Sequence, residues 1–155
     1  MEKDKNILFL TLKIFSATGG IEKVCKMVSL ALHQLTSTSP RSRLKVLSMY
    51  DCTADVDPKY IPANLFTGFN QKKLKYIYHA VKSGLVADIV LVSHINLLSV
   101  GYLIKKLHPK TKLVLYAHGI EVWGPLSTFR QKMLHNCDRI LSVSGFTKEQ
   151  LLQKY

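Results

Sequence analysis

Acidic residues are scarce in this chain: ten Asp and Glu stand against 22 Lys and Arg among 155 residues, for a net charge of +12. That balance suits an anionic partner (a phosphorylated ligand, a nucleic acid or an anionic membrane surface), or it is simply a solvated basic surface. No uninterrupted apolar run reaches membrane-spanning length. The first apolar stretch breaks at Lys13 and follows the charged Met1-Glu2-Lys3-Asp4-Lys5, so no signal peptide is expected. The three cysteines, Cys25, Cys52 and Cys137, are an odd number without metal-ligand spacing. They read as free thiols of a reducing compartment. Neither G-x-S-x-G, H-E-x-x-H nor G-x-x-x-x-G-K-[ST] occurs. Lys72, Lys73 and Lys75 lie near Phe69, Tyr76 and Tyr78, but no nucleic-acid-binding signature accompanies them, and no nucleic acid is expected as partner. No internal repeat and no low-complexity segment is present.

What is present is enough for one domain with a proper core, since folding a chain of this length buries about two-thirds of its surface. Ile7-Leu8-Phe9-Leu10 reads as a buried strand. After Gly19-Gly20, Ile21, Val24, Val28, Leu32 and Leu35 recur at helical spacing. Thr36 to Pro40 is a loop, Leu44–Tyr50 a strand, Asp51–Pro62 irregular and Asn64–Phe69 a short strand. Leu74, Ile77, Tyr78 and Val81 mark one face of a helix over Gln71–Ser83, which Gly84 ends. Strands follow at Asp88–Val92, Lys112–Ala117 and Arg139–Val143. Helices are expected at Leu97–Leu107, Ser127–Asn136 and from Thr147 onward. Alternating helices and apolar strands predict an α/β fold: a Rossmann-like parallel sheet with helices on both faces, its strands buried on both sides.

In such a sheet ligands bind beyond the carboxyl ends of the strands. Four strand exits there carry polar residues. Gly19 and Gly20 let backbone pass close to a ligand at a helix N-terminus that favours an anion, although paired glycines also serve plain tight turns. His118 follows a buried strand and precedes Gly119; its ring either faces the cleft as a donor or base, or bonds neighbouring backbone. His94, Asn96, Glu121 and Ser144 complete the rim, with a satisfied strand-end ring or a solvated carboxylate as the plainer alternatives. Trp123 reads as a core-covering residue rather than a sugar platform. His94 and His118 lack a third ligand at metal spacing, so no metal is expected.

Three stretches resemble the glycosyltransferase family 4 type, of the GT-B architecture: Gly19-Gly20-Ile21-Glu22-Lys23-Val24, Tyr116-Ala117-His118-Gly119-Ile120-Glu121, and Cys137-Asp138-Arg139-Ile140-Leu141-Ser142-Val143-Ser144-Gly145-Phe146-Thr147. They come in the family's order and span nearly the whole chain. The resemblance implies a retaining transferase of the hexosyltransferase type. It would move a sugar from a nucleotide-diphosphate-sugar to a glycan or lipid-linked acceptor, as in polysaccharide biosynthesis, without an obligatory metal or other cofactor. It places Gly19 and Gly20 at the donor diphosphate, His118 at the transferred sugar, and Ser144 near the cleft. Residues 1–155 would be the single acceptor-side domain. The family's E-x₇-E pair and nucleotide-sugar-binding domain do not occur within them. This half alone is expected to be inactive or nearly so. A cytoplasmic location, peripheral at the inner face of an anionic membrane, follows from the resemblance and the charge. The alternative is a non-catalytic anion- or membrane-binding module on the same scaffold.

Overall fold

A computed structural model describes residues 4–155; residues 1–3, part of the charged amino-terminal segment, lie outside the described residues. Six strands form: β1 (Asn6–Thr11), β2 (Arg43–Ser48), β3 (Phe66–Gly68), β4 (Ile89–Val92), β5 (Lys112–Ala117) and β6 (Arg139–Ser142). Between them run α1 (Gly20–Ser37), α2 (Lys73–Gly84), α3 (Leu98–Leu107), the single turn α4 (Ile120–Trp123), α5 (Thr128–His135) and α6 (Gly145–Lys154). The strands are all parallel, in the order β3-β2-β1-β4-β5-β6. The expected Rossmann-like sheet with helices on both faces is therefore the observed one.

Side-chain alternation along the strands builds two cores. Leu8, Leu10, Val90, Val92, Leu113 and Leu115 join Tyr76 and Ala80 of α2 and Leu98 and Ile104 of α3 in the larger one. Phe9, Val46 and Leu91 point the other way, onto Cys25, Val28 and Leu32 of α1. Among the described residues no helix is long and apolar enough to cross a membrane.

Two helix faces differ in part from the expected ones: Ile21, Val28 and Leu32 of α1 and Ile77 and Val81 of α2 pack on the cores, but other members do not. On α1, Leu35 is 66% exposed while Thr36 is buried. On α2, Leu74 is 85% and Tyr78 61% exposed, whereas Tyr76 and Ala80 are fully buried. Tyr76 packs edge-on against Phe69, centroids 5.5 Å apart. The stretch 51–62 is less irregular than expected, holding a 3-10 turn at Thr53–Asp55. Residues 64 and 65 fall in a 3-10 turn rather than in β3. The edge strand β6 is not buried on both faces: Ile140 and Leu141 remain 37% and 44% exposed.

Candidate functional site

The strand order reverses beside β1: the chain runs β1, β2, β3 outward on one side and β4, β5, β6 on the other. That places a crevice between the carboxyl ends of β1 and β4. A cavity of ≈ 210 Å³ opens there, with Lys13, Glu22, Tyr50, Ser93 and His94 among its lining. Larger hollows of ≈ 520 and ≈ 410 Å³ lie beside β6 and at the amino ends of β1 and β2; neither touches this rim.

The loop from β1 to α1 is held by Asp51, which follows β2 and is fully buried. Its carboxylate accepts hydrogen bonds from the backbone N–H of Ile14 at 2.7 Å and of Ser16 at 2.8 Å, and from the Ser48 hydroxyl at 2.6 Å. Burial alone would raise its pKa. The Ser16 and Ser48 contacts and the backbone donors outweigh burial and hold it below the usual carboxylate value. The clamp delivers Gly19, the extended residue that opens α1, and Gly20, its first helical residue. A Cβ on Gly20 would meet nothing within 4 Å, so the space above it is open to a ligand. A Cβ on Gly19 would meet only the tip of the Glu22 side chain, which can turn aside.

Beyond β4, the His94 ring accepts at Nδ1 from the Asn96 backbone N–H, 3.1 Å away. In the neutral ring the proton then sits on the other nitrogen. Asn96 in turn accepts from the Arg130 guanidinium at 3.2 Å. Beyond β5, the Glu121 carboxylate reaches back to the His118 backbone N–H at 2.6 Å and fixes the short turn α4. Gly119 between them has φ +139°, a conformation that glycine adopts freely and L side chains rarely do. Its missing Cβ also leaves space for the Trp123 ring, 2.9 Å from where that atom would stand.

Two polar atoms of this group are buried without a hydrogen-bond partner: His118 Nε2 and Glu121 Oε2. Buried polar groups are rarely left so; the Tyr76 hydroxyl, inside the larger core, is the other such side-chain atom among the described residues. Burial lowers the pKa of His118, against the opposing pull of Glu121, the Ser93 carbonyl and Glu22. Burial also lowers that of His94; Glu121 opposes this, while His118 and Arg130 add to it. Both rings are therefore neutral at neutral pH, and their mutual influence puts His94, His118, Glu121 and Glu22 within one electrostatic neighbourhood.

Ser144 is placed differently. It caps α6, accepting from the Thr147 N–H at 3.1 Å and donating to the Thr147 hydroxyl at 3.0 Å. Thr147 accepts from Trp123 Nε1 at 3.4 Å, so Ser144 supports the β5 loop from behind. Trp123 is half-buried and edge-on to Phe146, as suits a covering residue. Asp51 and Glu22 were not singled out from the sequence. A carboxylate directly after a buried strand, in a chain with ten acids, was the available signal for Asp51.

No protein family profile and no curated protein matches this chain. Solved structures do match. Crystal structures of Anabaena Alr3699/HepE, one with UDP and glucose and one with UDP-glucose, superpose with TM-scores of 0.67 and 0.66 at 16% and 17% identity. A third, with UDP, gives 0.65 at 19% identity. The superpositions cover 97%, 97% and 96% of this chain, but it spans only 41%, 40% and 40% of theirs. At these identities the likeness is one of fold: the chain is a Rossmann-like α/β domain built like the matched part of those structures.

Proposed function

We propose that this chain is the acceptor-side domain of a retaining glycosyltransferase of family 4 and GT-B type, working with a second domain that holds most of the nucleotide-sugar. The observation that carries the reading is the buried, partnerless pair His118 Nε2 and Glu121 Oε2 after β5, together with the open space over Gly20 after β1. His118 hydrogen-bonds the transferred sugar and Glu121 accepts from one of its hydroxyls. Gly20, at the positive end of α1, leaves room for the donor diphosphate. The bond from the sugar to the diphosphate breaks, one to an acceptor hydroxyl of a glycan or lipid-linked sugar forms on the same face, and the hydroxyl proton leaves with the departing diphosphate. The HepE complexes make UDP-glucose the first donor to try. Without its second domain this half has little or no activity.

The test is acceptor-dependent release of UDP from UDP-glucose by the native polypeptide, compared with its His118→Ala variant. A loss of at least about a hundredfold is expected, the effect of removing one positioned hydrogen-bonding group from the reacting centre. Near-normal turnover in the variant contradicts the reading.

A second reading, an anionic-membrane-binding module with the protein peripheral at the cytoplasmic leaflet, is favoured by one surface. On α2, Lys73 and Lys75 flank Leu74, with Lys72 just before the helix and Tyr78 one turn on, all exposed. Such a face suits insertion between anionic headgroups. Sedimentation with anionic vesicles that is indifferent to salt and to lipid charge removes it.

A further inference from the structure

We propose that the ≈ 410 Å³ hollow at the amino ends of β1 and β2 is a ligand site of its own, taking a small amphipathic anion: one carboxylate carried on a ring or a short acyl chain. The site is independent of the transferase reading. The length of β1, six residues at about 3.3 Å each, separates it from the rim that carries Gly20 and His118.

The ladder between β1 and β2 puts charge there. Asn6 pairs with Arg43 and Leu8 with Lys45, and residues paired in a parallel ladder share a face of the sheet. Leu8 belongs to the larger core, so Asn6, Arg43 and Lys45 stand on the face that α2 and α3 cover. A parallel sheet is normally roofed by helices on both faces, and its strands read as apolar runs. Here the roof stops short. Arg43 and Lys45 are exposed, and α2 gives only Ser83 to the wall before Val86 and Ala87 lead into β4. The edge strand stops short as well: β3 starts at Phe66, opposite Val46, and has no residue opposite Arg43–Lys45. Asn64 and Leu65, in the turn before β3, and Thr67 close the hollow on that side.

Charge then selects the head group. Arg43 and Lys45 line the hollow and no Asp or Glu does. Neither cation takes part in the two ion pairs among the described residues. The neighbouring carboxylate, Asp88, accepts from the Asn6 backbone N–H at 2.8 Å. A guanidinium offers a carboxylate two parallel donors, and the ammonium adds a third. The rest of the wall selects the body. Leu8, Leu65, Val86 and Ala87 are apolar, and Val86, 70% exposed, has the most surface to lose to a ligand. A wholly polar anion leaves that wall wet, and a neutral ligand leaves two cations unpaired. Apolar walls with a few polar groups, in a volume of this size, suit a small molecule. The plainer role for charges beside a short edge strand is to guard it against pairing with another chain.

The experiment is a ¹H–¹⁵N titration of the chain with octanoate and benzoate, and with acetate and octyl glucoside as head and body alone. Octanoate or benzoate is expected to shift the amides of Ile7, Leu8, Leu44, Lys45 and Thr67 and to leave those of His94 and His118 unmoved. Acetate should bind about tenfold more weakly or worse, and octyl glucoside below its micelle concentration should not bind. Arg43→Gln and Lys45→Gln change exposed positions and should fold normally; each should weaken binding about tenfold, as loss of one charge-assisted hydrogen bond does. Silence with both acids, equal shifts with octyl glucoside, or affinity indifferent to both substitutions overturns the proposal. Two further outcomes overturn it and reassign the charges. Dioleoylphosphatidylglycerol vesicles that broaden these signals while both acids are silent assign them to a membrane surface. Self-association of the two variants, with no acid bound by the parent chain, assigns them to guarding the edge. UDP release plays no part in the readout, so loss of the transferase reading leaves this site standing, and loss of this site leaves that reading untouched.

Discussion

Asp51 is a carboxylate buried where carboxylates are costly, and it stays because the chain around it is all donors. The N–H groups of Ile14, Phe15 and Ser16 converge on its two oxygens. Asp51→Asn keeps the shape but turns an NH₂ toward those donors and leaves a buried N–H without a partner. The expected loss is about 2–4 kcal/mol in a urea titration at unchanged slope. Amides of residues 12–19 should lose hydrogen-exchange protection first, and a loss below about 0.5 kcal/mol would show that water replaces the clamp. The titrating groups predict an acid profile with two stages. His94 and His118 have folded pKa values below the ordinary 6.5, so the unfolded chain binds protons first as pH falls. Stability present above about pH 6.5 is lost as pH drops through the folded values. Asp51, lowered from 3.8, contributes stability above that value and loses it only in stronger acid. Replacing both histidines with Asn should flatten the first stage and leave the second; an unchanged profile would place the titration elsewhere.

At the scale of elements, two glycines set how closely helices lie on their neighbours. A Cβ on Gly84, at the end of α2, would stand 2.6 Å from two Ile104 side-chain carbons of α3. One on Gly101 of α3 would stand 2.6 Å from Leu113 Cδ1 of β5. Ile104 and Leu113 are fully buried and have nowhere to retreat. Alanine at a helix-interior glycine gains about 1 kcal/mol of propensity, and less at a last residue such as Gly84. Overpacking costs about 1–3 kcal/mol. Gly84→Ala should therefore destabilise by about 1–2 kcal/mol in thermal or urea unfolding, while a gain would mean that α2 slides outward freely. The same contact explains what patterning could not reveal. Strands were legible because their apolar runs are short, β-branched and set off by turns; β5 forms over the residues expected. The faces of α1 and α2 were read in part: Ile21, Val28 and Leu32 on α1 and Ile77 and Val81 on α2 pack on the cores as expected, but Leu35, Leu74 and Tyr78 are exposed, and the deepest burial goes to Tyr76, Ala80 and Gly84 on α2 and to Cys25, Ser29 and Thr36 on α1. Small and polar residues are buried where close approach or a local hydrogen bond decides, as with the Ser29 hydroxyl donating to the Cys25 carbonyl. The rim positions of Gly20, His94, His118 and Glu121 follow from strand ends alone. The Asp51 clamp and the Arg130–Asn96 bond join segments far apart in sequence, which no spacing encodes.

For the whole molecule the governing quantity is the +12 charge. Attraction among its charges is sparse. The two ion pairs among the described residues share one carboxylate, with Lys105 at 2.8 Å and Lys112 at 3.0 Å from Asp138. Burial would raise the Asp138 pKa, but Lys105, the Leu113 N–H and Lys112 bring it down to about 2, so this anchor between β5 and β6 stays charged through mild acid. Against it stand many exposed lysines and arginines whose mutual repulsion favours expansion. Salt acts on both, and their balance sets the sign. Raising ionic strength from about 0.01 M to about 0.15 M shortens the screening length from about 30 Å to about 8 Å. Repulsion between distant cations is removed, while pairs in contact are weakened little. The domain should therefore gain stability with sodium chloride, by about 1 kcal/mol or a few degrees in melting temperature. A melting temperature that falls over the same range would mean that attractive pairs dominate and that the basic surface is internally compensated, leaving it little field to offer an anionic partner. A rise confirms a surface whose unbalanced charge is available to one.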